Sequence, residues 1–237
     1  MLIKGLQKVT LLDYPGLVAC TVFLGGCNFR CPFCHNGSLV LPERMGETID
    51  LDSFFAFLDS RRGRLQGVCV SGGEPTLQAD LPEFLAEIKA RGFSVKLDTN
   101  GTNPEMIFSL INDGLVDYVA MDIKNSPEKY LQTAGVNLNA ECRMHNAELI
   151  ERVRESASLL MQERVDFEFR TTLMKELHSV EDMRAIGQWL AGGEKFFLQT
   201  YREEGDLIVG GFTPFTKEET EVLLGVLKKY IPNAKIR

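Results

Sequence analysis

The chain has 237 residues, 44% of them hydrophobic and 25% charged, the balance of an ordinary soluble globular protein. Its 26 Lys and Arg face 33 Asp and Glu, a formal net charge of −7, which argues against a nucleic-acid or anionic-membrane surface because both want a basic face. No run approaches the ~18 uninterrupted apolar residues of a transmembrane helix. Residues 1–12 lack the cationic start and long apolar core of a signal peptide, so a cytoplasmic location is expected.

The first β-rich apolar run, residues 18–24, predicts a strand that leads into the segment GGCNFRCPFCHN at 25–36. A helical pattern over 51–61 follows, then a strand at 67–70 that ends in Ser71-Gly72-Gly73-Glu74-Pro75. The next helix spans 79–91, where Leu81, Phe84, Leu85 and Ile88 recur at the three- and four-residue spacing of one helix face. A strand at 94–98 runs into Asp98-Thr99-Asn100-Gly101. Asn103 then caps a helix over 104–113 that has Pro104 at its first position. The strand at 118–122 ends in Asp122-Ile123-Lys124, and a helix covers 147–162. Arg170 stands near the end of a strand at 166–171, a helix spans 180–191, Tyr201-Arg202 follows the strand at 196–200, and a last helix covers 217–230. Gly92 and Gly114 are natural helix stops.

Six βα repeats predict an α/β fold with a parallel sheet and right-handed helical crossovers, read as one domain over 1–237. An open doubly wound sheet and a barrel both satisfy the pattern. An eight-unit barrel takes about 250 residues, so six units fit a partial barrel if the sheet curves.

The polar signals gather at the C-terminal ends of the strands, where parallel α/β folds build their sites. Each has a structural reading as well. Gly72-Gly73 and Asn100-Gly101 serve as turns, Asp98, Asp122 and Lys124 as solvated strand-end charges, and Arg170 as half of a salt bridge. The cysteines are harder to explain that way. Cys27, Cys31 and Cys34 form a Cys-x3-Cys-x2-Cys triplet with no fourth cysteine nearby. Three thiolates at this spacing hold three corners of an iron–sulfur cube and leave one iron open to bind and activate something. A zinc site is the weaker reading, because Cys34 and His35 are adjacent and no second Cys-x2-Cys pair completes the set. Cys20 and Cys69 lie in apolar runs and read as small buried hydrophobes, while Cys142 in the polar stretch AECRMHN reads as exposed. Disulfides are not expected in such a chain.

The triplet, with Phe33 at the aromatic position before its last cysteine, resembles the hallmark of radical S-adenosylmethionine (SAM) enzymes, and Gly72–Pro75 resembles that superfamily's GGEP motif. DYPG at 13–16, SGGEPTLQ at 71–78, KLDTNG, GLVDYVAMDIK and FEFRTT extend the resemblance to glycyl-radical-enzyme activases over roughly residues 11–201. The resemblance implies a partial (βα)6 TIM-like barrel with outer helices, and a [4Fe–4S] cluster held by Cys27, Cys31 and Cys34 with SAM on its open iron. It further implies reductive cleavage of SAM to methionine and a 5′-deoxyadenosyl radical that takes a hydrogen atom from a partner's glycine. The expected partner is a glycyl-radical enzyme, an anaerobic ribonucleotide reductase first and a pyruvate formate-lyase second, with a flavodoxin or ferredoxin-type electron donor. Small-molecule chemistry of the 7-carboxy-7-deazaguanine synthase kind is the remaining alternative. In these roles the Gly72-Gly73 backbone approaches the methionine ammonium, Glu74 is a further cofactor-binding residue, and Phe33 and the backbone at His35 meet adenine. Lys124 faces the carboxylate, and Asp98 and Asp122 share an ammonium or a bound cation. Arg170 and Arg202 close the pocket, and Asn100 serves as ligand contact or turn.

Overall fold

A computed structural model describes residues 1–136, 143–162 and 164–237. Its strands are β1 (Ile3–Thr10), β2 (Ala19–Leu24), β3 (Gly67–Gly72), β4 (Ser94–Thr99), β5 (Tyr118–Asp122), β6 (Asp166–Leu173), β7 (Phe196–Thr200) and β8 (Lys235–Ile236). The helices are α1 (Gly37–Val40), α2 (Leu51–Ser60), α3 (Leu81–Ala90), α4 (Pro104–Asn112), α5 (Tyr130–Thr133), α6 (Arg143–Leu160), α7 (Val180–Trp189) and α8 (Lys217–Leu227). Cys142 lies outside the described residues.

The eight strands form one sheet in strict sequential order, β1 to β8, parallel from β2 onward. This order excludes a doubly wound sheet, whose strand order reverses at a switch point. Same-handed crossovers in one direction place the connecting helices on one face, the arrangement of a barrel wall. Alternate strand residues such as Val68, Val70, Val95, Leu97, Val119 and Phe169 turn outward and are buried with the helices in the main core. Each buried side chain of this size contributes about 1.5–3 kcal/mol. The opposite residues line a concave face that is apolar only at its base, where Tyr14, Ala19, Tyr118 and Ala120 cluster.

Two strands went unread in the sequence. β1 is the antiparallel edge partner of β2, and its register shifts twice, between Ile3 and Gly5 and between Gln7 and Thr10. An irregular, half-exposed edge loses the clean two-residue alternation that marks a strand. The two residues of β8 are too few to carry a period.

Helix ends follow the expected chemistry. The Asn103 side chain accepts from Met106 N at the start of α4, and Ser179 and Thr216 form capping boxes with Asp182 and Glu219. Among the described residues no helix is long and apolar enough to cross a membrane.

Candidate active site

The C-terminal ends of β2 to β7 surround a cavity of about 270 Å³. Its lining includes Cys27, Cys31, Cys34, Phe33, His35, Gly72, Gly73, Asp98, Asn100, Asp122, Lys124 and Arg170. Twelve of the fourteen residues singled out in the sequence therefore meet in one place. The other two, Glu74 and Arg202, do not line it.

The cysteine loop is held from three directions. On the β3 side, Gly73 N donates to Leu24 O and Glu74 N to Gly26 O, both at 2.8 Å. From α5, Ala134 O accepts from Arg30 N at 3.0 Å. From the chain after β7, Asp206 N, Ile208 N and Val209 N donate to His35 O, Cys34 O and Pro32 O. This last contact commits the His35 carbonyl to Asp206, and His35 Nδ1 donates to Glu204 O at 2.8 Å. Phe33 packs edge-on against Phe212, and the His35 ring lies against Tyr201.

Gly72 and Gly73 have a packing reason that the sequence did not show. A Cβ on Gly72 would stand 2.2 Å from Leu24 O, and one on Gly73 would stand 2.0 Å from Gly26 O. The missing side chains let the β3 loop lie directly on the root of the cysteine loop, while both glycines still border the cavity.

Glu74 sits behind the cavity wall, 1% exposed. Its carboxylate accepts from Thr76, from Thr99 Oγ1 at 2.8 Å and from Asn100 N at 2.6 Å, which ties the β3 loop to the β4 loop. Burial raises its pKa against the pull of those donors.

The strand-end charges pair with one another. Arg170 donates from Nε to Asp122 Oδ1 at 2.9 Å and from Nη1 to Asp98 Oδ1 at 3.5 Å. Lys96, buried in the middle of β4, binds Asp98, and Lys124 Nζ donates to Asp122 Oδ2 at 3.0 Å. Both carboxylates are thus engaged by cationic side chains of the protein itself. Burial opposes ionisation of Asp122, but Arg170 and Lys124 outweigh it and bring its pKa down to about 2. Asp98 is lowered in the same way, burial being overcome by Arg170 and Lys96. Burial would push the Lys124 ammonium down, and Asp122 together with Cys31 and Tyr130 more than reverses that.

Arg202 stands apart from these residues. It is exposed, whereas its neighbour Tyr201 is 1% exposed and packs on His35 and Phe212. Successive side chains at a strand end point to opposite sides, and here the tyrosine takes the inward one. The sequence reading also passed over Lys96, Thr172 and Gln199. Lys96 and Thr172 each lie two residues from an inward ionic position, Asp98 and Arg170, an alternation that carries the signal.

The donor set suits an iron–sulfur cube. The three thiols share one cavity, and all are free, as are Cys20 and Cys69. Cys20 and Cys69 are buried, although Cys69 faces Lys96 on the concave side at 3.7 Å instead of joining the main core. Among the described residues no three His, Cys, Asp or Glu side chains converge as ligands of a single ion would. Thiolates bound to separate irons of a cube stand farther apart than that. Burial pushes the Cys27 thiol up to about 11 and the Cys31 thiol up to about 12, and raises Cys34 as well. Metal loading must therefore release their protons.

Residues 21–173 match the radical SAM superfamily. The chain belongs to that superfamily. Radical SAM proteins use a [4Fe–4S] cluster and SAM. A Methanocaldococcus jannaschii protein named as a candidate glycyl-radical enzyme activating enzyme is 34% identical over 100% of this chain and 95% of its own length. A pyruvate formate-lyase-activating enzyme of Listeria monocytogenes is 35% identical over 55% of this chain and 56% of its own. Among solved structures, SuiB of Streptococcus suis bound to SAM shares the fold with a TM-score of 0.64 at 13% identity, covering 92% of this chain and 51% of SuiB. The partial barrel that the resemblance implied is thus the observed fold.

Proposed function

We propose that this radical SAM enzyme installs a glycyl radical on a partner glycyl-radical enzyme, with anaerobic ribonucleoside-triphosphate reductase as the partner and a flavodoxin or ferredoxin-type protein as the electron donor. The observation that carries the reading is the meeting of Cys27, Cys31 and Cys34 with the paired charges of β4, β5 and β6 in one cavity. Similarity to an activating enzyme over nearly the full length of both chains supports the protein substrate. Held by Cys27, Cys31 and Cys34, a [4Fe–4S] cluster would supply the electron for reductive cleavage of SAM to methionine and a 5′-deoxyadenosyl radical able to take a glycine hydrogen.

Each side chain has a part in holding that chemistry. The three thiolates grip the cluster. Gly72 and Gly73 bring bare backbone to the cavity wall, and Phe33 offers an aromatic face for adenine. Lys124, charged and 17% exposed toward the cavity, supplies a point charge for a carboxylate. Asp98 and Asp122 stay ionised and hold Arg170 and Lys124 in register. Glu74 fixes the two loops that flank the site.

The test is anoxic incubation of reduced, reconstituted protein with SAM and the reductase, with a parallel arm using pyruvate formate-lyase. A glycyl-radical doublet in electron paramagnetic resonance on the reductase is expected. SAM cleavage with no radical on the reductase overturns the partner assignment, and a doublet on pyruvate formate-lyase instead reassigns it.

A further inference from the structure

Asn100 borders the cavity and is 5% exposed, yet its hydrogen bonds turn it toward a thiol. Its Oδ1 accepts from Thr102 N at 3.0 Å and from Thr102 Oγ1 at 2.7 Å. A backbone N–H can only donate, so the oxygen of the amide must face Thr102 and the NH2 must face the other way. There, Nδ2 donates to Asn28 Oδ1 at 2.9 Å and lies 3.9 Å from Cys27 Sγ. Asn28 Nδ2 closes the ring by donating to Thr102 Oγ1 at 2.9 Å. The ring is anchored from outside. Asn100 N is bound to Glu74, Gly101 O accepts from Ser156, and Thr102 O accepts from Arg152.

Cys27 Sγ also accepts from Phe29 N at 3.4 Å. Among the described residues no side chain donates to Cys31 or Cys34, so the three thiols are not equivalent. N–H donors on a ligating sulfur stabilise the more negative, reduced state of an iron–sulfur centre.

We propose that Asn100 raises the reduction potential of the cluster by donating its oriented side-chain amide to the Cys27 thiolate, with Thr102 fixing that orientation. The inference rests on the cluster reading above. Asn100 acts through Cys27 and not on the substrate.

The experiment is a redox titration of anoxically reconstituted protein, followed by the electron paramagnetic resonance signal of the reduced cluster, with iron content measured in parallel. Asn100→Ala should lower the reduced-to-oxidised ratio at fixed poise at least about threefold, equal to about 28 mV at about 59 mV per decade for a one-electron couple. Asn28→Ala removes a ring member but leaves the Cys27 donor and the Thr102 N–H in place, so its midpoint should stay near the wild type. Equal midpoints for Asn100→Ala and wild type at full iron content overturn the proposal, as do equal shifts in the two variants. If Asn100→Ala fails to hold iron, the wild-type protein decides. With asparagine labelled with 15N at the side-chain amide, pulsed paramagnetic resonance of the reduced cluster should show a weak 15N coupling, and its absence overturns the proposal. A wild-type chain that assembles no cluster sinks the underlying reading instead.

Discussion

Replacing Gly73 with alanine tests whether the site depends on close backbone contact between the β3 loop and the cysteine loop. The new Cβ would stand 2.0 Å from Gly26 O, 2.6 Å from Gly26 C and 3.3 Å from Cys27 Cβ. Contacts below 3.0 Å force a shift, and the first two partners here are backbone, so the loops must part by about 1 Å. The same Gly26 carbonyl accepts from Glu74 N at 2.8 Å, and parting the loops stretches that bond. Overpacking costs about 1–3 kcal/mol and a lost hydrogen bond about 1 kcal/mol, for a total of about 2–4 kcal/mol. At about 2–4 °C per kcal/mol for a chain of this size, the melting temperature should fall by about 4–16 °C. Gly46→Ala is the control. Nothing lies within 4 Å of its added Cβ, and its effect should stay within about 0.5 kcal/mol. Calorimetry of both variants and iron content after reconstitution give the readout, because Gly26 leads directly into Cys27. A Gly73→Ala protein that melts within 1 °C or so of Gly46→Ala and loads its full iron would refute the packing account.

Arg170→Met leaves Asp98 and Asp122 to Lys96 and Lys124 alone. Breaking a buried pair costs about 3–5 kcal/mol, and the lower end applies because Asp122 keeps 32% of its side-chain surface exposed and each carboxylate retains a lysine. Asp122 is depressed to about 2, so its pairing stabilises the fold above an ordinary carboxylate pKa of about 3.9 and is lost as pH falls toward 2. Urea unfolding should therefore show a deficit of about 3 kcal/mol at pH 7 that shrinks below pH 4, where protonation relieves the unpaired carboxylates. A deficit under about 0.5 kcal/mol at pH 7, or one indifferent to pH, contradicts the network. Because that network already holds two carboxylates with three cationic side chains, replacing sodium or potassium with choline at constant ionic strength should change SAM cleavage less than about twofold. A tenfold dependence would mean that a bound cation displaces Lys96 or Arg170.

The outer half of the fold was legible because its residues obey a short-range rule. Val95 and Leu97 alternate with Lys96 and Asp98, Val68 and Val70 sit in a short apolar run, and the helices that cover them repeat at helical spacing. The rim was legible for a related reason, since Asp98, Asp122 and Arg170 each fall at a strand end. Their pairing was not legible. Asp98 and Arg170 stand 72 residues apart, and no local pattern reports that the sheet brings them within 3.5 Å. Arg202 was assigned from the resemblance alone, and it is exposed, one residue past the inward-turned Tyr201. Gly73 was read as room for a ligand, yet the atom that would meet its Cβ first belongs to Gly26.

These contacts share a direction. Residues that the resemblance assigned to a ligand are also engaged by the chain itself. Asp98 and Asp122 have their cations, Glu74 has three residues donating to it, the His35 carbonyl has Asp206, and Asn100 has Thr102 and Asn28. Charges and dipoles fixed before binding need no reorganisation when a substrate arrives, and that is where electrostatic placement has its largest effect on a reaction. Keeping several charges in a buried cavity costs stability unless they are mutually paired. The paired arrangement satisfies both demands. It leaves the three thiols, the Lys124 ammonium and the face of Phe33 as the groups still turned toward the cavity with capacity to bind.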